Sequence, residues 1–311
     1  MKVICPDSSE IIRDECAVTV GNFDGVHSGH RRLLSLLNKE AKARGLLSAV
    51  VTFMPHTAFI LHPSMGFREL TPFKEKSILL ESASVDVHVC LEFNREFMGK
   101  DPESFIRDIL KKRLNAKVWI MGEDHGFGKK RAGSGELLQN LCDKNDIYLI
   151  KTGLITDSSC EKVASTRIRR LILNGEMGEA MTMLEYPFPI IVRRTRGIGK
   201  AKKMGFPTFN FTCSTEGRIL PPHGTYAASL TYGSGFSLKG ALYFGRCPSF
   251  SDREVHFEFF SVSDLPEEKP EKEAVLYLHS HIREEMRFKD ERSLMDAVGD
   301  DIRKIRDYFG I

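Results

Sequence analysis

His27 and His30 stand three residues apart after a glycine-punctuated turn, in the run Val18-Thr19-Val20-Gly21-Asn22-Phe23-Asp24-Gly25-Val26-His27-Ser28-Gly29-His30. Residues at i and i+3 share one face of a helix, so both imidazoles there would point at the same ligand. A turn from strand into helix leaves free backbone N–H groups at the helix N-terminus, and these attract anions. Glycines let the backbone approach such an anion closely. The combination describes a triphosphate site, with His27 and His30 doing the chemistry and Gly21, Asn22, Phe23, Asp24 and Gly25 contributing to phosphate binding. A plain strand followed by a helix with satisfied histidines would have to explain two histidines, three glycines and an aspartate at fixed offsets.

A second constellation lies in the other half of the chain, Gly197-Ile198-Gly199-Lys200-Ala201-Lys202-Lys203-Met204-Gly205-Phe206-Pro207-Thr208-Phe209-Asn210. Gly197, Gly199 and Gly205 would let the backbone wrap a phosphate, and Lys203 adds charge. Thr208 and Asn210 are two apart on a strand, so they face one side and can offer oxygens to Mg²⁺. Without the Pro-Thr-x-Asn ending, the segment would read as a basic hairpin turn. Between the two constellations, Ser165-Thr166-Arg167-Ile168-Arg169 offers hydroxyl donors and a cation, Arg169, at a helix start.

The elements that must position these residues fall into two patterns. Up to residue 151 strands and helices alternate: strands over 17–20, 49–53, 85–91, 118–121 and 147–151, and helices over 31–44, 73–80, from 101–102 onward, and 137–143. A glycine-rich loop covers 122–135. This alternation predicts a doubly wound parallel α/β sheet with ligands at the carboxyl ends of its strands. After Pro187 short alternating apolar runs follow, at 226–230, 238–244 and 255–259, separated by turn residues. They predict a small antiparallel β-barrel, closed by a C-terminal helix over 293–309. The expected domains are 1–186 and 187–311.

A chain of 311 residues is long enough for two domains, and its net charge of +3 suits phosphorylated ligands without requiring nucleic acid. No run of 18 apolar residues exists, and the N-terminus lacks the basic and apolar regions of a signal peptide, so neither membrane nor export is expected. Seven cysteines without CxxC spacing point to reduced thiols in the cytoplasm and against a metal cage.

The opening run resembles the Gly-Asn-Phe-Asp-Gly-Val-His-x-Gly-His signature of the bacterial bifunctional riboflavin kinase/FAD synthetase family, a local form of the HxGH box of nucleotidyltransferases. Val51-Thr52-Phe53-Met54-Pro55-His56 resembles that family's strand ending in Phe-x-Pro-His. The loop from Gly122 to Gly133, with Asp124, resembles its Gly-x-Asp-Phe segment, though His125 and Gly126 depart from the usual pattern. Ser165-Thr166-x-x-Arg169 resembles its Ser-Ser-Thr-x-x-Arg box, with Ala164 in place of the first serine. The 197–210 segment resembles the flavokinase loop ending in Gly-Phe-Pro-Thr-Ala-Asn, with Ala201 and Phe209 as departures. Glu254-Val255-His256 resembles its Glu-x-His segment, and the 282–288 stretch its Arg-x-Glu-x-Lys-Phe segment. Where the family carries Asp-Leu-Tyr-Gly, this chain has Asp264-Leu265-Pro266-Glu267.

The resemblance implies two ATP-dependent transfers with Mg²⁺, riboflavin to FMN and FMN to FAD. In the first domain His27 and His30 would serve the α-phosphate, and Ser165, Thr166 and Arg169 the β- and γ-phosphates. Asp124 and His56 would shape the flavin and nucleotide pocket. In the second, Glu254 would be the general base, Thr208 and Asn210 the Mg²⁺ ligands, and Arg283 part of a flavin-side lid. The alternatives are a monofunctional FAD synthetase with an impaired kinase domain, another HxGH transferase, or a nucleic-acid-binding protein using the basic run 193–203.

Overall fold

Five consecutive buried residues, Cys16–Val20, form a strand at the centre of the first unit. Such a run suits a strand covered on both faces, as in a parallel sheet. The computed structural model describes residues 1–122, 136–153, 163–196, 206–245, 254–263 and 271–311. By contacts it divides into two compact units, Met1–Ala164 and Ser165–Ile311.

The first unit runs β1 (Lys2–Ile4), β2 (Cys16–Val20), α1 (Ser28–Arg44), β3 (Leu47–Met54), α2 (Thr57–Leu61), α3 (Phe73–Ser82), β4 (Val87–Glu92) and α4 (Arg95–Met98). It continues through α5 (Pro102–Ser104), a wider π-helical stretch over Phe105–Arg113, β5 (Ala116–Gly122), α6 (Glu136–Lys144) and β6 (Tyr148–Thr152). Its six strands pair in the order β1-β4-β3-β2-β5-β6, each pair parallel. The chain builds outward from β2 through β3 and β4, then resumes at β5 on the other side of β2. That reversal opens a crevice at the carboxyl ends of β2 and β5, the usual ligand position in such sheets. The doubly wound expectation therefore holds, and the sheet puts the His27 turn at the crevice.

Helix α1 starts at Ser28, three residues before the helix expected from apolar spacing, because the His27 side chain caps it. Leu34, Leu37 and Ala41 face the sheet, and Gly45, at φ +66°, ends the helix with its N–H on the carbonyls of Ala41 and Lys42.

The second unit runs α7 (Ser165–Leu173), α8 (Met177–Leu184), β7 (Phe188–Thr195), β8 (Phe209–Ser214), β9 (Gly224–Tyr232), β10 (Ser237–Gly245), β11 (Glu254–Ser261), β12 (Glu273–Glu284) and α9 (Glu291–Phe309). The strands close into an antiparallel barrel, β10-β11-β8-β7-β12-β9. Phe211, Leu230, Phe257, Phe259, Leu276 and Leu278 are fully buried. Along β11 the alternation sends Phe257 and Phe259 inward and His256, Glu258 and Phe260 to the other side. Gly240 is needed where strands crowd: a Cβ there would lie 2.1 Å from the Phe260 carbonyl oxygen. By contacts the units divide at Ala164/Ser165, because α8 packs on β7 and β12 and brings α7 with it.

Candidate active sites

In the first unit the β2 ladder extends one residue further, with the Gly21 N–H on the Val51 carbonyl at 3.0 Å. The chain then enters the left-handed region three times, at Phe23 (φ +47°), Gly25 (φ +81°) and Val26 (φ +31°). Glycine takes this conformation freely, whereas a β-branched valine is strained in it, and such strain persists only where surroundings enforce it. Here the enforcement is visible. The Asp24 carboxylate, 2% exposed, accepts the backbone N–H groups of Leu70 (2.9 Å) and Thr71 (3.1 Å). The Thr71 hydroxyl in turn accepts the Gly25 N–H at 2.8 Å. Asp24, expected among the phosphate-binding residues, thus braces the turn. Thr71 carries no motif signal, since only the tertiary contact brings it there.

His27 caps α1, its Nδ1 accepting the His30 N–H at 3.4 Å. Nδ1 is therefore the unprotonated nitrogen, and Nε2 carries the proton. Burial pushes the imidazole down to about 4, against the opposing pull of the Asp24 carboxylate, so His27 is neutral at pH 7. The His30 ring stacks on it at 3.7 Å between centroids, 18° from parallel, and Phe23 backs His30 at 4.9 Å. Both histidines thus stand together over the first turn of α1, as their spacing predicted.

His56 lies just beyond the end of β3, next to β2 in the sheet. Its Nδ1 accepts the Ala58 N–H at 3.1 Å, capping α2, and its ring stacks on Phe67 at 4.3 Å. Asn22 donates from Nδ2 to the Thr57 hydroxyl at 2.8 Å, tying the β2 and β3 loops together. Its Oδ1 is buried with no hydrogen-bond partner among the described residues, an acceptor that a ligand could satisfy. Ser165, Thr166 and Arg169 open α7 of the second unit. Asp124 lies outside the described residues.

In the second unit, β8 and β11 pair with Glu258 opposite Asn210 and Glu254 opposite Ser214. His256 Nε2 lies 2.8 Å from Asn210 Oδ1 and 3.6 Å from Glu258 Oε1. Both neighbours accept, so Nε2 carries the proton and holds the amide oxygen of Asn210 in place. Gly197, Gly199, Lys203 and Gly205 lie outside the described residues, as does the Glu254 side chain.

Beside Thr208 opens a cavity of about 320 Å³. Phe206, Phe260, Met286, Phe288, Leu294 and Val298 give it apolar walls, the last two from α9. Thr225, Tyr243, Glu258, Arg283 and Asp301 supply its polar groups. Arg283 donates to Asp301, and its guanidinium lies 5.5 Å from the centre of the Phe288 ring. A mostly apolar cavity with a few polar groups suits a fused aromatic ring. Of its lining, the motifs pointed to Thr208 and Arg283. Glu258, Tyr243, Thr225 and Asp301 are assembled by the barrel and α9, and the alternation of β11 was the available signal for Glu258.

A model of the FAD synthetase family matches residues 9–167, and a riboflavin kinase model matches residues 184–309. A protein from Buchnera aphidicola subsp. Schizaphis graminum named bifunctional riboflavin kinase/FMN adenylyltransferase is 32% identical over 306 residues, covering 96% of both chains. The protein of the same name from Escherichia coli K12 is 28% identical over 303 residues, covering 97% of this chain and 96% of its own. Among solved structures, one from Streptococcus pneumoniae described as a macrolide-efflux protein superposes with a TM-score of 0.83 at 25% identity, covering 98% of each chain. Among the described residues, no helix of the present chain is long and apolar enough to cross a membrane.

Proposed function

The chain belongs to the bifunctional riboflavin kinase/FMN adenylyltransferase family, and from that premise we propose how its two sites divide the work. It is a transferase that phosphorylates riboflavin with ATP to FMN and adenylylates FMN with ATP to FAD, releasing pyrophosphate. The N-terminal part, assigned as residues 1–186, carries adenylylation, and residues 187–311 carry the kinase.

In adenylylation a phosphate oxygen of FMN attacks the α-phosphorus of ATP. The bond from that phosphorus to the oxygen bridging the α- and β-phosphates breaks, and pyrophosphate leaves. Such a transfer depends on positioning and charge stabilisation more than on proton transfer. The observation that carries this reading is the stacked His27–His30 pair on the N-terminus of α1, at the sheet's crevice. Neutral His27 would donate from Nε2–H to the α-phosphate region, and the backbone N–H groups of the first turn would add to it. Gly21, Asn22, Phe23 and Gly25 would give the loop its close approach, and His56 and Asp124 would shape the flavin and nucleotide pocket. Ser165, Thr166 and Arg169 would hold the β- and γ-phosphates.

In phosphorylation a ribityl hydroxyl attacks the γ-phosphorus of ATP while its proton passes to Glu254, and ADP leaves. The loop with Gly197, Gly199, Lys203 and Gly205 would wrap the phosphates, and the cavity beside Thr208 would hold the flavin ring. Thr208 and Asn210 fit Mg²⁺: a hydroxyl and an amide carbonyl are hard oxygen donors, and Asn210 Oδ1 keeps one lone pair beyond its contact with His256. Bound there, the ion would neutralise phosphate charge. Arg283, expected in a flavin-side lid, lines the cavity as part of its wall. The proposed partners are these small molecules, without nucleic acid or membrane. Free thiols at Cys5, Cys16, Cys90 and Cys142 support a cytoplasmic setting.

The test is a paired assay with ATP and Mg²⁺, begun separately from riboflavin and from FMN, with products separated by chromatography. FAD from both substrates is expected. FAD from FMN alone would leave the kinase assignment without support, and no product from either would overturn the reading.

A further inference from the structure

The kinase cavity has an uneven charge. Among the described residues, three charged side chains line it: Glu258, Arg283 and Asp301. Arg283 Nε bonds both carboxylate oxygens of Asp301, at 3.0 and 2.8 Å, so those two charges offset each other. Glu258 has no lysine or arginine within ion-pair distance among the described residues, and its ionic neighbour is His256 Nε2 at 3.6 Å. It stands directly across the strand pair from Asn210, and Thr208 also lines the cavity. Directly opposed residues place their Cβ atoms about 5 Å apart. The negative charge therefore sits beside Asn210, one of the two proposed Mg²⁺ ligands, with the other, Thr208, also lining the cavity.

Substrate and product of this site differ in one respect. Riboflavin is neutral, whereas FMN carries a phosphate of charge about −1.5 to −2 at pH 7. We propose that Glu258 makes the kinase cavity discriminate between them, disfavouring FMN by charge while its oxygens accept hydrogen bonds from the ribityl hydroxyls. The carboxylate acts on the phosphate that the reaction has just installed, so it promotes product departure and limits product inhibition. This inference rests on the assignment of the cavity as the kinase's flavin site.

The test follows riboflavin phosphorylation by the full chain with ATP labelled in its γ-phosphate. Kinase turnover is the label in FMN plus FAD, so conversion of FMN onward does not obscure it. Unlabelled FMN is added as inhibitor. In Glu258→Gln the ratio of the FMN inhibition constant to the riboflavin KM is expected to fall about five-fold, and the effect shrinks as salt rises. Glu258→Asp, which keeps the charge, should hold the ratio near that of the unaltered protein. An unchanged ratio in Glu258→Gln overturns the proposal, as does an equal fall in Glu258→Asp, which would mark a shape effect. A separate variant, Ala241→Trp, fills the cavity. Loss of riboflavin phosphorylation with FMN adenylylation retained supports the cavity assignment, and normal phosphorylation removes it whatever Glu258 does. Should Ala241→Trp fail to melt cooperatively by circular dichroism, Ala241→Leu makes the same comparison with a smaller side chain.

Discussion

Arg283 Nε donates to both carboxylate oxygens of Asp301, at 3.0 and 2.8 Å, joining the end of β12 to α9. Both side chains are mostly buried, at 16% and 5% exposure, and both line the kinase cavity. Burial raises the Asp301 carboxyl above its ordinary value and the arginine opposes that rise. Removing one partner of a buried pair leaves the other uncompensated. Asp301→Ala should therefore cost about 3 kcal/mol in urea unfolding. It should also raise the riboflavin KM, because Leu294 and Val298 reach the cavity from the same helix. An unchanged urea midpoint would assign α9 docking to its apolar contacts alone.

Asp24 should behave as a brace. Asp24→Ala leaves the Leu70 and Thr71 N–H groups without that acceptor, and each lost bond in a buried setting costs about 1–3 kcal/mol. The expected outcome is a first unit destabilised in chemical denaturation, with FMN adenylylation lowered because the strained turn at Phe23 and Val26 relaxes. Full stability with lost activity would instead assign Asp24 to the ligand.

His27→Ala should lower FMN adenylylation about 10²-fold or more, the usual effect of losing a preorganised donor to developing charge. Riboflavin phosphorylation by the same protein serves as the control and should persist. Equal loss of both activities would point to a folding defect.

Acid should weaken the fold through buried histidines. His27 and His279 are pushed down to about 4 and His88 to about 3, each chiefly by burial. Their ordinary value is 6.5, so below it the unfolded chain takes up protons that the folded protein refuses. The stability these neutral rings contribute is fully present above pH 6.5 and is lost as pH falls toward 4, on the order of 2–3 kcal/mol each for His27 and His88 and less for the partly exposed His279, where solvent screens the charge. Thermal melts from pH 7.5 to 4.5 should show Tm falling, and His88→Asn should flatten part of that slope. A Tm independent of pH over this range would contradict the burial of these rings.

Much of the site was legible because it is local. The histidines at 27 and 30 share a helix face by spacing alone, and the apolar run over 17–20 predicts the strand that the fold extends to Cys16–Val20. Period-two alternation likewise placed β9, β10 and β11 and predicted a barrel. The elements β1, α2, α4, α8 and β12 escaped this reading, and the helix expected from 101–102 onward is π-helical over 105–113.

What the chain could not announce is which distant residues meet. Strand order, with β5 beside β2, is a matter of long-range pairing, and it is what puts the His27 turn at a crevice. Asp24 carries its motif signal without revealing that its carboxylate clamps Leu70 and Thr71, which only the fold brings to it. The pairing of Glu258 with Asn210 depends on the register of β8 against β11, and that of Arg283 with Asp301 on where α9 docks. Sequence spacing sets the chemistry available within a turn or a strand; the burial of apolar faces brings separate segments together, and so selects which polar groups share a cavity.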